Sequence, residues 1–222
     1  MVKMNYMRKW KRPEGYGIAD LHIHSSLVDG MASVYQILEY VECKTELDVI
    51  AITDHDDLRG SYAARELAAR KKVPVVLMHM QGEPKTMQAE PKYDDVVREV
   101  TEYLVERARF AESFGVDREM IFIDPGIGFG KTVEHNLEII NRLQEFTGFE
   151  KPILLGHSRK SFIGKLLGGL PVTERLEGTA AAAAIGIFNG ADIIRVHDVK
   201  EMVRVAKIAD GIKRISDVSK PE

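Results

Sequence analysis

A single cysteine stands among the 222 residues, so no disulfide can form within the chain and a reducing compartment suits it. That residue, Cys43, shares a helical spacing with Val34, Ile37, Leu38 and Val41, which predicts a buried, unreactive thiol. No apolar run approaches the roughly 20 residues that a membrane-spanning helix needs. The leading segment "MVKMNYMRKWKRPEGYG" is basic but lacks the apolar stretch of a signal peptide, and is expected to pack loosely. A basic excess is also missing. The net charge of −3 argues against a nucleic-acid partner. These absences point to a cytoplasmic protein with neither membrane nor nucleic acid as partner. The length suits one domain with a full core.

What is present is a recurring alternation of apolar runs and amphipathic stretches. The runs "IADLHI" (18–23), "LDVIAIT" (47–53), "VPVVLMH" (73–79), "MIFID" (120–124), "PILLGH" (152–157) and "DIIRVH" (192–197) are nearly continuous in hydrophobicity. Parallel strands buried on both faces read this way. Helical stripes lie between them, at 32–44, 93–115, 133–146 and 179–191. Six strand-helix repeats predict an α/β, TIM-barrel-like fold with parallel strands. Polar residues gather at the C-terminal strand ends, the edge where (β/α) barrels place their chemistry. Six strands are two short of the usual eight, so the barrel is expected to be incomplete or to close through a second copy, giving a homodimer.

Two constellations carry chemistry. In "ADLHIHSSLVDG", His22 and His24 are two residues apart on one strand and therefore share a side. Asp29 follows on the next loop, and "AITDHDDLRG" sets Asp54 and His55 at the second strand's end. These motifs, over roughly 15–72, resemble the polymerase-and-histidinol-phosphatase family of metal-dependent phosphoesterases. The resemblance implies His22, His24, Asp29 and His55 as ligands of zinc, manganese or iron, generating a hydroxide that attacks a phosphate ester. The family's later ligands are not found in their expected motifs; His79, His157 or His197 would have to complete the set in their place.

From Val73 onward the residues change character. "PGIGFGKT" fails the phosphate-loop pattern, because Pro125 stands where the first glycine belongs. Its glycines suit backbone passing close to a flat ligand, with Asp124 either accepting hydrogen bonds from that ligand or initiating the turn before Pro125. "GHSRKS" fails the nucleophile-elbow pattern, because Lys160 replaces a glycine. Ser158 then reads as a helix cap, with Arg159 and Lys160 adding positive charge for an anion. Arg195 and His197, on one side of the last strand, suit either a pyrophosphate clamp or ion pairs to Asp192 and Asp198.

The motifs "VPVVLMHMQGEPKTMQ", "IFIDPGIGFGKT", "ILLGHSRKSFIG" and "LEGTAAAAAIGIFNGADIIRVHDV" resemble, in order, the second half of dihydropteroate synthases. The resemblance implies a pterin pocket lined by Met78, Phe129 and Gly156. Asp124 and Lys160 would hydrogen-bond the pterin ring, and Arg195 would stack on it. Arg195 and His197 would hold the pyrophosphate, and Ser158 would lie near 4-aminobenzoate. Lys160, Arg195 and His197 are thus the catalytic candidates, with Mg²⁺ as the implied cofactor. The implied reaction joins a hydroxymethyl-dihydropterin pyrophosphate to 4-aminobenzoate in folate biosynthesis.

The expected organisation is a single compact domain. It comprises a basic leader (1–14), a phosphoesterase-like segment (15–72), a synthase-like segment (73–214) and a tail (215–222). The junction of this chimera of half-barrels falls near Lys71–Val73. Phosphoesterase activity, or a recombinant barrel with no turnover, are the alternatives to the transferase.

Overall fold

The computed structural model describes residues 19–23, 36–37, 40, 49–52, 74–83 and 86–218. The chain divides into two compact units, Met1–Leu67 and Ala68–Glu222. In the first, β1 (Ala19–Ile23) pairs in parallel with β2 (Val49–Ile52), and the register shifts between Asp20 and Ile23. Gln36, Ile37 and Tyr40 are helical, within the stretch expected at 32–44. Cys43 lies outside the described residues, as do His24, Asp29 and His55. His22 is described only as part of the β1 backbone.

In the second unit, β3 (Val75–Met78) pairs in parallel with β4 (Ile121–Asp124), from Val75↔Ile121 to Met78↔Asp124. A single bridge, Ile123↔Ile153, and the bond from Ile123 N–H to Pro152 O (3.0 Å) carry the pairing onward. There β5 (Leu154–Leu155) pairs with β6 (Ile193–Ile194), again in parallel. Strands β3 to β6 therefore follow chain order with one direction, and their C-terminal ends share an edge. All six strands fall inside the expected runs but are shorter. In β5 and β6 only two residues pair, and chemistry-bearing residues occupy the loop positions just beyond. Among the described residues the strands form parallel pairs and do not close a barrel.

Helices α1 (Val96–Ser113), α2 (Val133–Asn141), α3 (Ser161–Leu166), α4 (Leu176–Phe188) and α5 (Val199–Val218) separate or follow these strands. Val96, Val97, Val100 and Leu104 of α1 join Ile123, Ile139, Leu143, Phe146 and Leu155 in one buried cluster. The helix expected over 133–146 ends earlier. Arg142 leaves helical geometry to meet Asp95, Glu138 and Glu145 at once, and a 3₁₀ stretch, Leu143–Phe149, replaces the last turns. Among the described residues no helix is long and apolar enough to cross a membrane.

Candidate active site

The shared strand edge of the second unit collects one carboxylate and three cations. Asp124 closes β4 and is 2% exposed, and its Oδ1 accepts the Gly126 N–H at 2.7 Å. Burial pushes its carboxyl up, while Arg195, Lys160 and Lys131 act in the opposite direction by stabilising the anion. Lys131, 3% exposed, donates to Phe129 O (3.0 Å) and lies 2.9 Å from Nδ1 of His79. Burial and the neighbouring Lys160 lower its pKa to about 7, against the pull of Asp124. His79 is lowered to about 3 by burial and by the Lys131 charge, so its ring is neutral and Nδ1 accepts.

Between Asp124 and Lys131 the chain makes two close passes that only glycine allows. Gly126 (φ 71°) lies so near β3 that an added Cβ would overlap His79 O, and Gly130 (φ 59°) has Gln81 O in the same relation. The loop is further held by Asn136 Oδ1, which accepts Gly128 N–H (2.7 Å), and by Tyr93 OH, which donates to Gly130 O (2.8 Å). This fixes Phe129 as a floor, with Lys160 Nζ 3.8 Å from its ring centroid. Burial and Arg195 lower Lys160 to about 8, with Asp124 opposing.

Past β5, Gly156 leaves room for the Arg195 guanidinium; a Cβ there would lie 2.7 Å from Nη2. Ser158 does not cap a helix. Its hydroxyl meets Nδ1 of His197 at 2.9 Å and accepts the His197 N–H at 3.2 Å, while α3 begins only at Ser161, behind Lys160. Asp198, considered above as a partner for Arg195 or His197, holds Arg159 through both its oxygens. Asp192 accepts the Ile153 N–H through Oδ2 (2.8 Å).

Asp124, Phe129, Gly156, Lys160 and Arg195 are thus linked by contact or by charge along one edge, with Met78 closing β3 opposite Asp124. Ser158 and His197 pair beside them. Of the histidines considered as substitute metal ligands, His157 is fully buried with its nitrogens on Leu155 O and Thr179 O. Burial lowers it, and two backbone carbonyls occupy both positions a metal would need. Among the described residues no group of three His, Cys, Asp or Glu side chains could hold a metal ion. Nor does the carboxylate at the edge suit Mg²⁺, because its neighbours are three cations. Lys131 went unrecognised in the sequence, and Arg159, expected to offer its charge to an anion, is held by Asp198 instead. Rejecting "PGIGFGKT" as a phosphate loop left its lysine without a role.

Such an arrangement has the chemistry for a flat ligand with N–H groups toward Asp124 and an anionic arm toward Arg195 and His197. The sequence profile of a family described as pterin binding enzyme matches residues 49–197. Dihydropteroate synthase of Escherichia coli K12 is 51% identical over 148 residues, 67% of this chain and 52% of that protein. The chain spans about half the length of the curated relatives it matches first. Among solved structures, the Yersinia pestis dihydropteroate synthase in a sulfonamide drug complex superposes with a TM-score of 0.74 at 36% identity. It covers 88% of this chain and 66% of that one. The Stenotrophomonas maltophilia dihydropteroate synthase, with imidazole bound in its active site, gives 0.70 at 32%, covering 93% and 94%. The fold is accordingly TIM-barrel-like α/β. The matched stretch starts at Val49, so it crosses the junction expected near Lys71–Val73 and takes in "ITDHDDLRG".

Proposed function

The chain belongs to the pterin-binding enzyme family, and from that premise we propose that it joins a hydroxymethyl-dihydropterin pyrophosphate to 4-aminobenzoate. The single observation that carries this reading is Asp124, buried at a strand end and faced by three cations. In the proposed complex the Asp124 carboxylate accepts the pterin's N–H groups. Met78, Phe129 and Gly156 enclose the ring, and Arg195 stacks on it. Lys160, held over Phe129, donates to the pterin edge. The aniline nitrogen attacks the methylene carbon, the carbon–oxygen bond breaks, and pyrophosphate leaves with the bonding electrons. The anilinium proton is then lost. Arg195 and His197 stabilise charge that grows on the leaving oxygen, the electrostatic term that usually dominates such transfers. Ser158 lies near the 4-aminobenzoate. No step is routed through Mg²⁺, for which the described residues supply no fitting ligand set. A cytoplasmic setting and a homodimer belong to the same proposal, the latter checked by the mass in solution.

The test is a thermal shift with a pterin. The wild-type chain should be stabilised and Asp124→Asn should not, losing on the order of 1.5–3 kcal/mol of binding for a hydrogen bond to a charged group. If the pterin leaves the wild-type melting temperature unchanged, this reading fails. Synthesis of dihydropteroate at high protein concentration, with Mg²⁺ supplied, then separates an active transferase from a barrel that binds without turnover.

A second reading rests on "ADLHIHSSLVDG", which lies upstream of the matched stretch. We infer from it a chimera of half-barrels whose first segment, 15–72, descends from the metal-dependent phosphoesterases. His22, His24, Asp29 and His55 would bind zinc, manganese or iron there. Stoichiometric metal, lost in His22→Ala and His55→Ala, together with hydrolysis of a phosphate ester, would establish it.

A further inference from the structure

Arg159 is one of two non-glycine residues at positive φ (55°) among the described residues, a conformation that a side chain disfavours. Both its backbone groups and its guanidinium are engaged. Its N–H donates to Thr179 Oγ1 (3.0 Å), and its carbonyl accepts from Arg175 Nη1 (2.9 Å). Its guanidinium grips Asp198 in a two-pronged ion pair, with Nε on Oδ2 at 2.9 Å. Asp198 follows β6 and Arg159 follows β5. One residue earlier on each loop, Ser158 and His197 form a second rung. The left-handed turn at Arg159 thus lies between two residues with separate duties, Ser158 toward His197 and Lys160 over Phe129.

Glycine would take this φ without strain, so an arginine here calls for a reason beyond the turn. We propose that Arg159 and Asp198 are positioning residues, a clamp that fixes the β5 and β6 loops in one register and so holds His197, the neighbour of Asp198, ready for the pyrophosphate arm of the substrate, while Arg195 keeps its seat against Gly156. The inference rests on the transferase reading for the identity of that arm. The clamp also covers the Asp198 carboxylate, which would otherwise stand unneutralised beside an anion site.

Inorganic pyrophosphate and 6-hydroxymethylpterin are the probes, each titrated calorimetrically into the wild-type chain, Arg159→Gly, and Arg159→Gly with Asp198→Asn. Glycine keeps the backbone turn, so the variant removes the clamp while relieving strain. The pyrophosphate dissociation constant should rise roughly tenfold in Arg159→Gly, with the pterin constant within about twofold. It should stay raised in the double variant, where no free carboxylate remains to repel the anion. Recovery in the double variant would mean that Arg159 merely neutralises Asp198, and would overturn the clamp. Unchanged pyrophosphate binding in Arg159→Gly, equal loss of both probes, or no pyrophosphate binding by the wild-type chain would each overturn it as well. Failure of the wild-type chain to bind the pterin would instead sink the transferase reading, since the clamp is judged on pyrophosphate.

Discussion

A glycine at position 156 is a statement about Arg195. The Cβ that any other residue would add there falls 2.7 Å from Nη2 and 3.0 Å from Nε, contacts too short to persist. The guanidinium is the far end of a flexible side chain and can move aside at small cost, so Gly156→Ala should fold with a melting temperature close to the wild type. What it should lose is ligand. With Arg195 displaced from where it is proposed to stack, pterin affinity should fall by about tenfold, the weight of a stacked cation of about 1–2 kcal/mol. A large drop in melting temperature with unchanged affinity would contradict this account. Lys131 poses a different problem, because its ammonium is buried and its pKa is pulled from the usual lysine range down to about 7. Between pH 7 and about 10.4 the unfolded chain holds that proton more firmly than the folded one, so folding stability rises with pH across the window. Above it the penalty of burying the charge is gone; below pH 7 it is fully present. The urea midpoint of the wild-type chain should therefore climb from pH 7 to pH 9, by an amount worth on the order of 1–2 kcal/mol. Lys131→Met should reduce that slope without abolishing it, since Lys160, lowered to about 8, carries the same sign.

At the scale of elements, α2 holds the glycine loop as much as it covers the strands. Asn136 is buried near the helix's first turn, accepts Gly128 N–H (2.7 Å), and donates through Nδ2 to Thr132 O. Asn136→Leu keeps the volume and strands the Gly128 N–H, at a cost of about 1–3 kcal/mol. Chemical denaturation should show that loss, and Phe129, released from below Lys160, should weaken pterin binding with it. The strands were legible because runs such as "MIFID" and "PILLGH" are nearly continuous in hydrophobicity, the pattern of parallel strands buried on both faces. Their ends were less so. His157 belongs to an apolar run, yet β5 stops at Leu155, because Gly156 and the turn at Arg159 bend the chain toward α4, where Thr179 takes the His157 ring. Ser158 looked like a cap for the same reason. A serine before a helix normally serves one, and its long-range partner, His197, lies 39 residues away, beyond what local spacing reports.

For the whole molecule, the sequence carried two family resemblances and the comparisons reach only one of them, over residues 49–197. That asymmetry has a physical counterpart in the histidines. A multinuclear metal site needs more donors than His22, His24, Asp29 and His55 provide, and the later strands would have to supply them. In the second unit those histidines serve other partners: His79 accepts from Lys131, His157 lies between two carbonyls, and His197 pairs with Ser158. Lys131 also places a cation against His79, which disfavours a metal ion there. Four donors from the first segment alone can complete the shell of one tetrahedral ion but not of the multinuclear centre that the phosphoesterase chemistry uses. The purified chain should therefore carry no more than one equivalent of zinc, manganese or iron by elemental analysis. Exhaustive chelation should leave both the melting temperature and the pterin-induced shift where they were, since neither depends on those ligands. Two or more equivalents that survive dialysis, and whose removal lowers the melting temperature, would reverse the order of the two readings and place the phosphoesterase chemistry first.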